Sequence, residues 1–162
     1  MIYILDVSSD TLIQAEIVLA GKVKMPLKKE GWNFNWKDLL KERNTKTYIL
    51  RTLKTPDFIE GVLQLRTERG MLIMDAIEIA PHNIGSHQKK YDYVAGCLIS
   101  FACRESFKIE GDYKGYLTFV SKTNLIEWYS VTYRAEQALG QRMFIRPEIG
   151  AELMDTYLHR TN

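Results

Sequence analysis

Apolar positions recur along the chain with two periods. Runs that alternate or carry β-branched residues predict strands at Tyr3–Val7, Thr47–Leu53, Tyr116–Ser121 and Arg142–Arg146. Two further apolar runs, Phe58 to Leu65 and Met71 to Ile79, flank the polar stretch Arg66-Thr67-Glu68-Arg69-Gly70 and predict a long hairpin with glycine at its turn. Amphipathic spacing predicts a helix over Thr11–Leu19, with Ser8, Ser9 and Asp10 as cap candidates and Gly21 as its stop. A short helix is expected over Trp36–Arg43, after the aromatic loop Gly31–Trp36. Tyr91–Ser106 is apolar almost all round, which predicts a helix buried on more than one side. Asn124–Leu139 reads as a helix capped by Thr123 or Asn124 and ended by Gly140, and Gly150–Leu158 as a last helix.

The resulting order groups an antiparallel meander early and β-α units late. It predicts an α/β fold, a mixed and mostly antiparallel central sheet with helices on both faces. Two crossovers, Ile79 to Tyr116 and Ser121 to Met143, would each add a parallel neighbour beside the meander. No repeat, linker or low-complexity segment interrupts the chain, so residues 1–162 are expected to form one domain.

Composition narrows the function classes. Hydrophobic residues make up 46% and charged residues 26%, the balance of an ordinary globular protein. The net charge of +2 is too mild to argue for nucleic acid by itself. Cys97 and Cys103, the two cysteines, sit in an apolar helical run and are expected to be reduced core thiols. His82 and His87 have no cysteine or carboxylate at ligand spacing, so no metal site is expected. No apolar run is long enough for a membrane span, and the first residues lack the layout of a signal peptide. A cytoplasmic protein without membrane partners is expected.

The chemistry concentrates between Asp75 and Glu105. An apolar strand ends at Ala80-Pro81, a polar loop containing glycine follows, and a helix opens with the small residues Ala95 and Gly96. Free backbone N–H groups and the positive end of the helix dipole converge there, which suggests a phosphate-bearing cofactor.

Read with its residues, this arrangement resembles the GNAT superfamily of acetyl-CoA-dependent N-acetyltransferases. Ile79-Ala80-Pro81 matches the family's strand end, and Lys90-Tyr91-Asp92-Tyr93-Val94-Ala95 can be laid on its pyrophosphate loop. Lys90 then takes the usual Arg or Gln place, Tyr93 takes the first Gly place, and the stretch from Pro81 to Lys90 is longer than the usual spacer. Asn124 to Tyr133 looks like the family's later helix, where an Asn lies near the cofactor and a Tyr faces the thioester sulfur. The resemblance covers about Phe58 to Arg146, and the N-terminal third fits by element order only.

The resemblance implies acetyl-CoA as acyl donor and a primary amine of unknown identity as acceptor. Backbone amides of Lys90, Tyr91, Asp92, Tyr93, Val94, Ala95 and Gly96 would hold the diphosphate, with Asn124 nearby. Ile79 would offer its N–H to the acetyl oxygen where the strand splays, and Tyr129 would protonate the leaving thiolate, with Tyr133 one turn on as its competitor. Glu78 is preferred to Asp75 as the general base; their odd separation along a strand puts them on opposite faces. Trp32, Phe34 and Trp36 are candidates for the wall of an acceptor pocket, and His82 for a proton carrier. Neither cysteine sits where a covalent relay is expected, so transfer is read as direct, in a ternary complex. Two alternatives stand beside this reading. One is a toxin-like enzyme acetylating aminoacyl-tRNA, for which the lysines from Lys22 to Lys29 would be relevant, although nucleic acid is not the favoured partner. The other is a binding module that has lost catalysis, favoured by Tyr93 and the lengthened loop. The family also allows a homodimer.

Overall fold

A computed structural model describes residues 2–85 and 88–160. His87 therefore lies outside the described residues. Nine strands form one sheet in the order β6-β1-β2-β3-β4-β5-β7-β9-β8. In chain order these are β1 (Ile2–Asp6), β2 (Thr11–Leu19), β3 (Thr45–Thr52), β4 (Gly61–Glu68), β5 (Met71–Ile79), β6 (Tyr91–Asp92), β7 (Leu117–Val120), β8 (Glu136–Gln137) and β9 (Arg142–Ile145). The helices are α1 (Trp36–Leu39), α2 (Val94–Ser106), α3 (Ile126–Tyr133) and α4 (Pro147–Tyr157). All strand pairs are antiparallel except β5 with β7. No helix is long and apolar enough to cross a membrane among the described residues.

Alternation along the strands divides the core in two. Leu50, Leu63 and Leu117 face α2, α3 and α4, and pack with Leu98, Cys103, Tyr129 and Leu153. Their neighbours Ile49 and Val62 point the other way and meet Met25, Trp32 and Trp36 from the segment between β2 and β3. At Gly61 α2 lies close against the sheet: a Cβ there would lie 2.8 Å from Leu98 and 2.9 Å from Val94.

Three expectations are corrected. Thr11–Leu19 is a strand, paired with β1 on one side and β3 on the other. Its Ile13, Ala15 and Ile17 share the helix-facing side, a period of two that the helical reading missed. Ser8, Ser9 and Asp10 form the hairpin turn instead of a cap; Ser8 donates through both N–H and hydroxyl to Asp6, and Asp10 sits at φ 53°. Polar residues that bond their own backbone serve a turn as well as a helix start.

The helix expected to reach Leu139 stops at Tyr133, because Arg134 turns into the left-handed region at φ 53°. The chain then returns as β8, so β9 joins β7 antiparallel and the second parallel crossover does not exist. The first does: β5 and β7 pair in parallel through Leu72 with Leu117 and Ile73 with Thr118. Finally, Tyr91–Asp92 belongs to a short strand on β1, and the long helix opens only at Val94. The β4–β5 hairpin forms with glycine at its turn as expected, but β4 runs Gly61–Glu68, so Phe58–Glu60 lie outside it and the polar residues to Glu68 inside. Arg69 at φ 52° and Gly70 at φ 76° make a two-residue turn that matches strand twist.

Candidate active site

The site begins with an irregularity in β5. Gln64 pairs with Ala76 and Leu65 with Met74, so Asp75 is an extra residue with no partner on β4. Such a bulge bends the strand that carries it. The parallel pairing with β7 reaches only Ile73 and Thr118, just before the bulge, and the two strands separate beyond it. A cavity of about 520 Å³ fills the gap, lined by Asp75, Glu78, Ile79, Phe34, Lys122 and Tyr129 among others.

The bulge also overturns the parity argument for the two acids. Met74 and Ile77, three residues apart, both pack on the helix side, so the added residue shifts the alternation and an odd separation no longer means opposite faces. Both Asp75 and Glu78 line the cavity. Neither carboxylate is free. Asp75 is paired with Arg66 at 2.8 Å. Glu78 Oε2 accepts the Asn33 N–H at 2.5 Å, and its Oε1 accepts the Phe34 N–H at 3.1 Å and the Trp36 indole N–H at 2.9 Å. Proton capture by Glu78 would have to break the bonds that hold this loop, so the geometry makes it an anchor for the cavity wall. Of the three aromatics of that loop, Phe34 lines the cavity, whereas Trp32 and Trp36 belong to the core.

Ile79 sits at the end of the diverging strand. Ala80 donates its N–H to the Glu60 carbonyl at 2.9 Å. Alternation along a strand then turns the N–H and C=O of Ile79 away from β4, toward the open edge. Tyr129 looks onto the same space from α3, with its ring against Phe119 at 4.7 Å between centroids. Its side chain has no hydrogen-bond partner among the described residues, and burial pushes the phenol's pKa up. Tyr133, the competitor, is pushed up further, again by burial first, and lines a different cavity.

That second cavity, about 320 Å³, adjoins the first through Ile79, which lines both. Its other walls include Asn83, Lys89, Tyr91, Asp92, Tyr93, Val94, Ala95 and Gly96. Here the expected diphosphate cradle is narrowed to one turn. The Lys90 N–H is spent on the His82 carbonyl at 2.8 Å, the Tyr91 N–H on Asn83 Oδ1 at 3.0 Å, and the Tyr93 N–H on Asp92 Oδ1 at 2.8 Å. The first helical bond runs from Cys97 N–H to the Tyr93 carbonyl, and no side chain caps the helix. The N–H groups of Val94, Ala95 and Gly96 are therefore the unpaired donors at the helix start.

Tyr93 holds a left-handed conformation at φ 75°, the geometry for which a glycine would be expected. Its ring lies under the Arg160 guanidinium at 3.9 Å and beside Tyr157 at 6.3 Å. Gly96 also has a packing reason to be small: a Cβ there would fall 2.2 Å from Tyr157 Cε1, so Gly96 makes room for α4. Lys90 is exposed, with its ammonium 5.3 Å from the Tyr91 ring centre. Asn124 is exposed in the single turn Thr123–Leu125 and lines neither cavity. His82 turns to Glu60 instead, with Nε2 at 2.6 Å from Oε1. Asn83, Ser121 and Lys122 are wall residues that the sequence reading passed over, since only the fold brings them beside Ile79.

No protein-family model and no curated protein sequence matches the chain. Solved structures do. One described as AtaTR bound with AcCoA superposes with a TM-score of 0.60 at 9% identity, over 87% of this chain and 98% of the other. The KacTA–DNA complex gives 0.59 at 12% identity, over 88% and 99%. A chimera of spermidine N-acetyltransferase SpeG from Vibrio cholerae and hSSAT gives 0.53 at 11% identity, over 86% and 99%. The parallel β5–β7 pair that opens beyond a bulge, the helix start beside it, and these matches over nearly the whole of each other chain lead to one conclusion: this chain has the fold of the GNAT acetyltransferases.

Proposed function

We propose that the protein is an N-acyltransferase that moves an acetyl group from acetyl-CoA to a primary amine by direct transfer in a ternary complex. The observation that carries this reading is the meeting of two cavities at Ile79, one ending on the unpaired amides of Val94, Ala95 and Gly96, the other on the Tyr129 phenol. Helix-start amides suit a diphosphate. The open-edge N–H of Ile79 is placed to polarise a carbonyl, and a phenol kept protonated by burial suits the leaving thiolate as an acid. Both thiols are pushed up to about 12 by burial and lie in the α2 core, which favours direct transfer over a covalent relay.

The walls also bear on the acceptor. Asp75 and Glu78 are both engaged, so no unpaired carboxylate among the described wall residues waits to receive a cationic amine or to deprotonate it. An amine that is already partly neutral near pH 7 is favoured: an α-amine, with a pKa of about 7.7–8.0, has a neutral fraction hundreds of times that of an alkyl amine near ~10.4. The second reading, acetylation of an aminoacyl-tRNA, draws on the same preference. It is supported by the likeness to a structure described as an AtaT mutant toxin bound to an antitoxin C-terminus and acetyl-CoA (TM-score 0.57, 11% identity, over 87% and 98%), and by Lys122 on the wall.

Thiol release from acetyl-CoA, measured over a panel of amino-acid amides, simple alkyl amines and polyamines, tests the proposal. Release with the α-amines, well above that with the polyamines, is the expected result. Cofactor binding without release by any amine or aminoacyl-tRNA would overturn the enzyme reading in favour of a binding module.

A further inference from the structure

Glu60 is an acid buried to 1% exposure immediately before β4, and no step of the proposed transfer uses it. Its Oε1 faces His82 Nε2 at 2.6 Å and accepts from Asn83 Nδ2 at 3.0 Å. Its carbonyl accepts from Ala80 at 2.9 Å and from Asn83 Nδ2 at 3.3 Å. Asn83, itself only 2% exposed, passes the connection on: its Oδ1 accepts the Tyr91 N–H at 3.0 Å. The adjacent Lys90 N–H bonds the His82 carbonyl, and the Lys90 carbonyl accepts from Val7 on the β1 side. The next residue after Glu60 is Gly61, on which Val94 and Leu98 of α2 rest.

We infer that Glu60, acting through Asn83, is a positioning residue for the diphosphate end of the acyl donor. The pair fastens both ends of the lengthened loop to β4, at Ala80–Asn83 and at Tyr91, three residues before the unpaired amides of Val94–Gly96. The buried carboxyl group is itself satisfied by His82 and Asn83, and it sits next to the glycine that seats the helix start. The lengthened spacer thus has its own brace, and the first turn of α2 is held in register with Ile79. Asn83 lines the same cavity as those amides, so the brace ends at the site it orients.

This inference rests on the acyltransferase reading, and its test separates the two. Dissociation constants for coenzyme A and for pantetheine, which lacks the diphosphate, are measured by calorimetry on the whole protein and on Glu60→Leu and Asn83→Ala. The wild type should prefer coenzyme A, and in both variants that preference should shrink by about tenfold, with pantetheine affinity little changed. A merely structural defect would weaken both ligands together and leave the ratio intact; an unchanged ratio in a folded variant overturns the brace. If Glu60→Leu does not fold, Asn83→Ala alone carries the test, since it removes the link between Glu60 and Tyr91 while leaving the Glu60 carboxyl group with His82. A wild type that binds neither compound would overturn the acyl-donor reading itself.

Discussion

The Glu78 carboxylate and the Trp36 indole N–H meet at 2.9 Å across 42 residues of chain. Together with the Asn33 and Phe34 amides on the same carboxylate, this bond ties the segment between β2 and β3 to the diverging end of β5. Glu78→Gln leaves one acceptor oxygen for three donors. It should cost about 1–3 kcal/mol of stability, read by urea unfolding, and raise the acceptor KM while leaving coenzyme A affinity unchanged. Full stability with turnover down a hundredfold would make Glu78 the base instead.

Tyr129→Phe keeps the ring on Phe119 and removes only the hydroxyl. If the phenol acts in the transition state, kcat should fall by about 10²–10⁴-fold with coenzyme A affinity unchanged. Equal turnover would transfer the role elsewhere.

At Gly96 the test is steric. Gly96→Ala places its methyl inside contact distance of the Tyr157 ring and should destabilise by about 1–3 kcal/mol. Combined with Tyr157→Leu, the two losses should be clearly less than additive, because both act on one contact. Additive losses would mean that Gly96 is small for some other reason.

The buried thiols predict an alkaline limb. Burial lifts Cys97 and Cys103 from an ordinary value of 9.0 to about 12, so folding disfavours the thiolate. The unfolded chain then loses protons first as pH rises, and stability falls above about pH 9. From pH 8 to pH 10 each thiol should remove about 1 kcal/mol, and Cys103→Ala should flatten that slope by its share. A slope identical in the variant would contradict the shift.

Much of this site can be read along the chain, for identifiable reasons. β5 and α2 are long, strongly patterned runs, and Arg69-Gly70 is a turn that local chemistry dictates. The strand-loop-helix order around Pro81 follows from them. What escaped the reading depends on contacts distant in sequence. Ser8, Ser9 and Asp10 serve equally as cap or turn, and only the pairing of β2 with β3 decides. The bulge at Asp75 is invisible to an alternation count, yet it sets the face of Glu78 and the opening between β5 and β7. Glu60 falls inside the apolar run Phe58 to Leu65, and nothing near it marks a role, because its partners His82 and Asn83 lie 22 and 23 residues further on. Lys90, Tyr91 and Tyr93 were plausible amide donors until the fold supplied each with an acceptor.

The central claim is that the amides of Val94, Ala95 and Gly96 grip the diphosphate of an acyl donor. Backbone N–H chemical shifts of the isotope-labelled protein, followed as coenzyme A and then pantetheine are added, test it most directly. The account predicts large downfield movement at these three residues with coenzyme A and little with pantetheine. No movement there at millimolar coenzyme A, or movement centred away from the start of α2, would contradict it.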